Sequence, residues 1–262
     1  MNNTILCTLL FFIISCKKNE VKKTEEKETV EIVSKVNDSL KLVELCQNYE
    51  RLNNLIRDNK IKSNLALKEI QIQIPKIKQE YYKQGGKDWN ESTFVFPLQG
   101  YKCSAIGGKH GSGYLPSKYD FFEGNKHLGH PAHDVFINDK NQDSKDDNTN
   151  ELVNVLSFSG GVVLATENSW DSSSQLRGGK YIWIFDPYSN SLFYYAHNSK
   201  VIVSCGQLVV PGQIIAKVGR SGLNAFKKRS PSHLHFTRLR FDNNFYPKPI
   251  NTYKELLKAK NK

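Results

Sequence analysis

Tyr181-Ile-Trp-Ile-Phe185 and Leu192-Phe-Tyr-Tyr-Ala196 flank Asp186-Pro-Tyr-Ser-Asn-Ser191. Two short runs of β-branched and aromatic residues around a Pro/Asn/Ser turn read as a β-hairpin. The same texture extends in both directions. Upstream lies Val162-Val-Leu-Ala165; downstream come strand-like runs at Gln207 to Val210, Ile214 to Val218 and Leu234 to Arg240, separated by Gly, Asn, Ser and Pro. From about Glu91 onward the chain therefore reads as mainly β, one compact antiparallel sheet domain over residues 92–250. That length suffices for a single core. Residues 251–262 form a basic tail with helical character.

The segment before the sheet differs. Leu42, Leu45, Tyr49, Leu52 and Ile56 recur at spacings of three and four, which marks an amphipathic helix within residues 37–91. Asp38 and Ser39 suit its N-cap, Pro75 ends or kinks the pattern, and Gly85-Gly86 closes it. The repeat is too short and irregular for a dimerising coiled coil; it reads as a spacer or as a helix packed on the sheet domain.

The chain has 262 residues, 39% hydrophobic and 11% aromatic, with 37 Lys and Arg against 26 Asp and Glu. That is too apolar for a wholly disordered chain and too polar for a multi-span membrane protein. Ile5 to Ser15 is an apolar run of signal-peptide length, followed by the charged, aromatic-free residues 17–36. Ile13-Ile-Ser-Cys16 resembles a bacterial lipoprotein cleavage box. The resemblance implies removal of residues 1–15, lipidation of Cys16, a tether over residues 16–36, and a membrane-anchored lipoprotein of the bacterial cell envelope. Met1-Asn2-Asn3 lacks the usual positive start, and an ordinary signal peptide is the plainer alternative. Beyond Cys7 and Cys16, three cysteines remain and no Cys-x-x-Cys occurs, which argues against a thiol-only zinc site.

The chemistry sits in the histidines. Four of the seven lie between His110 and His133, one is His197, and two are His233 and His235. In extended chain, His130 and Asp134 share a face, as do His233 and His235, while His133 points away; Pro131 opposes a helix there. Two such segments can face a common point, and imidazole with carboxylate suits zinc. Strand histidines on a solvent face are the alternative.

His130 to Asp134, Tyr195-Ala-His197, Gly206-Gln-Leu-Val209-Val-Pro-Gly212-Gln213, Gly219-Arg-Ser-Gly222 and His233-Leu-His-Phe236 follow one another in an order that resembles the lysostaphin/LytM-like zinc metallopeptidases, over roughly residues 95–240. The resemblance implies one zinc per chain on His130, Asp134 and His235. It implies His197 and His233 as catalytic residues beside a zinc-activated water, with base and acid unassigned between them. It also implies a metalloendopeptidase acting on stem or cross-link peptides of peptidoglycan. Ala132 stands where the family often has Gly, Ser230-Pro-Ser232 replaces a loop that commonly ends Gly-Pro, and Thr237 stands where Glu is frequent. A catalytically silent regulator of another cell-wall hydrolase would be expected to have lost ligands; a secreted protease acting on proteins is a further alternative. A D-Ala-D-Ala type zinc peptidase would need Glu-x-x-His, which does not occur.

Asp139, Asn141 and Asp143, with Asp147 beyond, resemble the start of a calcium loop without its Gly and its final Glu; a solvated acidic insertion is the alternative. His127 and His133 read as structural, and His110 as part of a Gly-rich loop. From Lys200 to Lys262, 13 Lys and Arg face only Asp242 and Glu255, and Lys227-Lys-Arg229 precedes His233. A basic rim suits an anionic wall polymer or acidic membrane surface. No motif points to nucleic acid.

Overall fold

The computed structural model describes residues 40–262, and Leu42–Lys262 form one compact unit. The signal-peptide run, Cys16, the tether and the cap residues Asp38 and Ser39 lie outside the described residues. Among the described residues no helix is long and apolar enough to cross a membrane.

Two helices come first: α1 over residues 40–57 and α2 over Ser63–Lys83. Eleven strands follow: β1 Ala132–Phe136, β2 Lys145–Asp146, β3 Glu151–Leu152, β4 Asn154–Leu156, β5 Gly161–Glu167, β6 Lys180–Asp186, β7 Ser191–Val201, β8 Leu208–Val209, β9 Ile214–Val218, β10 His233–Phe241 and β11 Pro247–Ile250. A short helix, α3, spans Tyr253–Lys258. The main sheet runs β1-β10-β7-β6-β5-β8, with β11 beside the second half of β10, β9 beside the end of β7, and β4 on β9. Every pairing is antiparallel, and β2-β3 is a separate ribbon.

Both faces of the sheet are covered. Ile182, Ile184, Phe193, Tyr195, Leu234 and Phe236 point into one core with Phe94, Phe96 and β9. The alternate residues Tyr181, Trp183, Phe185, Leu192, Leu239 and Phe241 pack against Leu42, Tyr49, Leu52, Ile56, Ile70 and Ile74 of α1 and α2. Double coverage explains why β6 and β7 read as continuous apolar runs instead of alternating ones. Polar ties fix the helices in place: Glu50 accepts from Thr166 N at 2.7 Å, and Lys78 Nζ donates to the Pro187 carbonyl at 2.8 Å.

Pro75 does not end the helix; α2 continues through it. Pro75 lies on the exposed side, while Ile74 and Ile77 are fully buried against the sheet. Their burial offsets the lost backbone bond, which costs about 3 kcal/mol in an unsupported helix. The C-terminal tail is woven into the domain: Leu256 is buried in the first core, and Lys260 N donates to Phe94 O at 2.9 Å.

Candidate metal centre

The β1–β10 register sets Asp134 directly opposite His235 and Phe136 opposite His233. His130 stands just before β1, held by a two-bond bridge between its backbone and Leu115. Three imidazoles thereby surround one carboxylate oxygen. Asp134 Oδ1 lies 3.1 Å from His235 Nδ1, 3.3 Å from His130 Nε2 and 3.7 Å from His233 Nε2. Ligand atoms of His130, Asp134 and His235 all fall within 4.8 Å of one another.

Backbone carbonyls decide which nitrogen each ring presents. His130 Nδ1 is 2.8 Å from Gly113 O, His197 Nδ1 is 2.8 Å from Ser221 O, and His233 Nδ1 is 2.7 Å from Pro231 O. A carbonyl only accepts, so each Nδ1 carries a proton and each Nε2 faces the centre, where in the neutral ring it offers a lone pair. His235 is reversed: Nδ1 faces Asp134, and Nε2 lies 3.5 Å from Thr237 Oγ1. Thr237 thus lies against the outer nitrogen of this imidazole.

His197 arrives by a distortion. Lys180 pairs with Asn198 but Ile182 pairs with Tyr195, so β7 bulges at Ala196-His197. His197 takes φ +67°, a left-handed conformation that a non-glycine residue adopts at a cost. The bulge re-aims the ring, placing its centroid 4.9 Å from that of His233 and 5.4 Å from that of His235. Ser221 Oγ locks this corner, donating to Asn198 O at 2.7 Å and accepting from Lys180 N at 2.8 Å.

Electrostatics follow from this packing. Burial opposes ionisation of Asp134, but hydrogen bonds from His130 and His235 overcome it and hold the carboxyl far below the usual range. Burial, reinforced by His233 and His235, pushes His197 well below the ordinary imidazole value, and burial lowers His235 as well. For His130, the Asp134 partner outweighs burial and the net shift is upward. Once deprotonated, the two imidazole nitrogens that now hydrogen-bond Asp134 would, with its carboxylate, form a donor set that could hold a divalent metal and that suits zinc.

The other candidates resolve differently. His133 is buried on the opposite face of β1, with Nε2 3.0 Å from Asn251 Oδ1 and its ring stacked on Tyr114. His127 closes a 2.7 Å contact with Gly124 O and sits edge-on to Tyr119. His110 is exposed in the Gly-rich loop. That loop is nonetheless structural, because its last glycine supplies the carbonyl that orients His130. The calcium reading of Asp139, Asn141, Asp143 and Asp147 is not supported. Asp139 accepts from Asp143 N, Ser144 N and Ser232 Oγ; Asp143 Oδ1 accepts from Lys145 N; Asp147 accepts from Lys140 N; and Asn141 Oδ1 accepts from Asp143 N. These oxygens fold a turn, and among the described residues Asp139, Asp143 and Asp147 do not converge as a metal cluster. The Gly113, Ser221 and Pro231 carbonyls were not legible as site components, because a backbone acceptor has no residue signature.

Residues 143–247 match the model of peptidase family M23. The match includes His197, His233 and His235 and begins after His130 and Asp134. No curated protein matches the chain. Among solved structures, the catalytic domain of the antimicrobial peptidase lysostaphin from Staphylococcus simulans is 27% identical, covering 50% of this chain and 81% of that one at a TM-score of 0.34. A putative glycyl-glycine endopeptidase LytM from Ruminococcus gnavus is 21% identical, with 75% and 70% covered at 0.42. A zinc-containing peptidase from Vibrio cholerae is 20% identical, with 67% and 41% covered at 0.38. The match covers about two fifths of the chain, and over that stretch, with the ordered motifs beside it, the protein is similar to the lysostaphin/LytM-like peptidases of family M23.

Proposed function

We propose that the protein is a zinc metalloendopeptidase of the bacterial cell envelope that hydrolyses peptide bonds of peptidoglycan. The observation that carries the reading is the single carboxylate oxygen, Asp134 Oδ1, ringed by His130, His233 and His235 with His197 alongside. His130 Nε2, Asp134 and His235 Nδ1 would hold the metal. When bound, zinc supplies Lewis acidity, acidifying water and polarising a carbonyl. The protein does the proton work. His197 and His233, each with Nδ1 tied to a carbonyl, offer Nε2 to accept the proton of the attacking water and return it to the departing amine. Water oxygen joins the carbonyl carbon, the C–N bond breaks, and the amine leaves with that proton. The depressed basicity of His197 keeps it neutral near pH 7, as a proton acceptor requires. A silent regulator would have lost ligands; all five residues are present here.

Partner and place belong to the same proposal. The exposed Lys227-Lys228-Arg229 loop next to His233 suits an anionic wall polymer, and lipidation at Cys16 would anchor the chain to a membrane. The test is the full mature chain with zinc on purified peptidoglycan, scored by new amines and by mass spectrometry of the fragments. Cleavage should stop, and bound zinc should be lost, in His235→Ala. Undiminished cleavage by that variant would refute the mechanism.

A further inference from the structure

Next to the metal centre, on the α1 side, lies a cavity of about 90 Å³ with His235 and Thr237 in its wall. Its floor is the stacked pair Trp183 and Tyr194, with ring centroids 4.3 Å apart. Ile56 and Arg57 of α1 close its far side. The volume is several times the roughly 10–15 Å³ that admits one water, so a carboxylate group has room to enter.

Two guanidinium groups reach this cavity, and they differ. Arg57 is saturated: it contacts Asp58 at 2.7 Å, Glu167 at 3.1 Å and the Tyr181 hydroxyl at 3.2 Å. Arg177 donates Nη1 to the His127 carbonyl at 2.6 Å, and among the described residues no carboxylate pairs with it. A guanidinium has five N–H donors, so most of Arg177 remains available to a ligand. The backbone around it is pinned: Arg177 N donates to Asn125 Oδ1 at 2.8 Å, Leu223 N donates to Leu176 O at 2.9 Å, and His197 N donates to Gly178 O at 3.0 Å. The last bond ties the Arg177 loop to a proposed catalytic histidine.

We infer that this cavity is a carboxylate-binding subsite built on Arg177, which selects peptides carrying a carboxylate beside the bond to be cut. The inference rests on the peptidase reading for the identity of its ligand as a peptide. A guanidinium is complementary to a planar carboxylate through two parallel hydrogen bonds, and the aromatic floor and α1 wall keep water from weakening them. The wall also limits how far a peptide can run past the site, which favours a short end over the middle of a long strand. Arg177 is a specificity residue in this scheme and takes no part in proton transfer.

The carboxylate could be the peptide's terminal α-carboxylate or that of a side chain, and the experiment separates them. Binding is measured by calorimetry with the full chain carrying His233→Ala, which prevents turnover without altering the cavity lining. The probes are N-acetylated alanyl-alanine as free acid and as C-terminal amide, and N-acetylated alanyl-glutamate amide against its glutamine counterpart. At least one acid should bind ~10–100-fold more tightly than its uncharged partner, as expected for a charge-assisted pair. Adding Arg177→Gln should erase that difference while leaving the neutral probes unchanged, and Arg177→Lys should restore only part of it. A terminal-acid preference names the α-carboxylate as ligand; a glutamate preference names the side chain. Equal binding of acids and neutral probes, or a preference that survives Arg177→Gln, would overturn the subsite. Failure of the peptidase reading looks different: the wild-type chain would leave peptidoglycan uncut while the Arg177-dependent preference persisted.

Discussion

Gly222 holds the sharpest prediction. It takes φ +113°, and a Cβ there would overlap the Arg177 carbonyl oxygen and stand 2.9 Å from His197 Nδ1. Ordinary contact begins near 3.4 Å, so in Gly222→Ala the imidazole must retreat by several tenths of an ångström. That movement breaks the 2.8 Å bond to Ser221 O, which fixes the His197 tautomer and aim. General acid–base groups contribute about 10²–10⁴ in rate, so kcat should fall by ~10²-fold or more. The unfavourable backbone conformation should add a stability loss of roughly 1–3 kcal/mol. Zinc content should be unchanged, because His130, Asp134 and His235 do not touch Gly222. Gly85→Ala is the control: φ is +80° there, but nothing lies within 4 Å of the added carbon, so stability alone should drop. The assay pairs kcat on soluble muropeptides with zinc stoichiometry and urea unfolding. A Gly222→Ala enzyme within threefold of wild-type kcat would show that His197 placement does not limit the reaction.

Ile70, fully buried on α2, should cost about 2–5 kcal/mol on replacement by Ala, with one cooperative urea transition; two transitions would mean that the helices fold separately. Burial pushes the Cys46 thiol up to about 12, so in the folded protein iodoacetamide should leave it unmodified at pH 8 and label it only in denaturant, as read by mass spectrometry. The hydrogen bond from Arg57 holds Asp58 below the ordinary carboxylate value. Its contribution is present above about pH 3.9 and fades as pH falls through the folded-state value, so Asp58→Asn should flatten the decline of Tm below about pH 4. An unchanged slope would remove Asp58 from the acid response.

What could be read in advance follows from periodicity. Side chains two apart on a strand share a face, so His233 with His235 and His130 with Asp134 could be paired before any register was known. The register supplied what spacing could not: Asp134 stands opposite His235, not shifted toward His233. Bulges lie beyond such reasoning, because His197 departs from strict alternation at a step that no residue type announces. The turn around Asp139 shows the opposite failure. Alternating oxygens resemble a calcium loop in sequence, yet the same side chains can satisfy backbone N–H groups, and here they do. Pro75 misleads as a helix end because propensity is local, whereas the burial of Ile74 and Ile77 is tertiary.

The helices lie on the same side of the sheet as the metal centre, and this bears on how the protein can be cut down. The domain boundary suggested by composition, near residue 91, looks like a natural place to trim to a minimal catalyst. Trimming there would strip α1 and α2 from Val162, Leu164, Phe185, Leu192 and Leu239, all with no exposed surface in the intact chain. Each such side chain is worth roughly 1.5–3 kcal/mol when buried, against about 5–15 kcal/mol for a whole domain. The bared sheet would form a continuous greasy surface and precipitate or self-associate. The smallest soluble piece of this chain that carries the metal centre therefore starts before α1, and it keeps the α1 wall of the neighbouring cavity when it does.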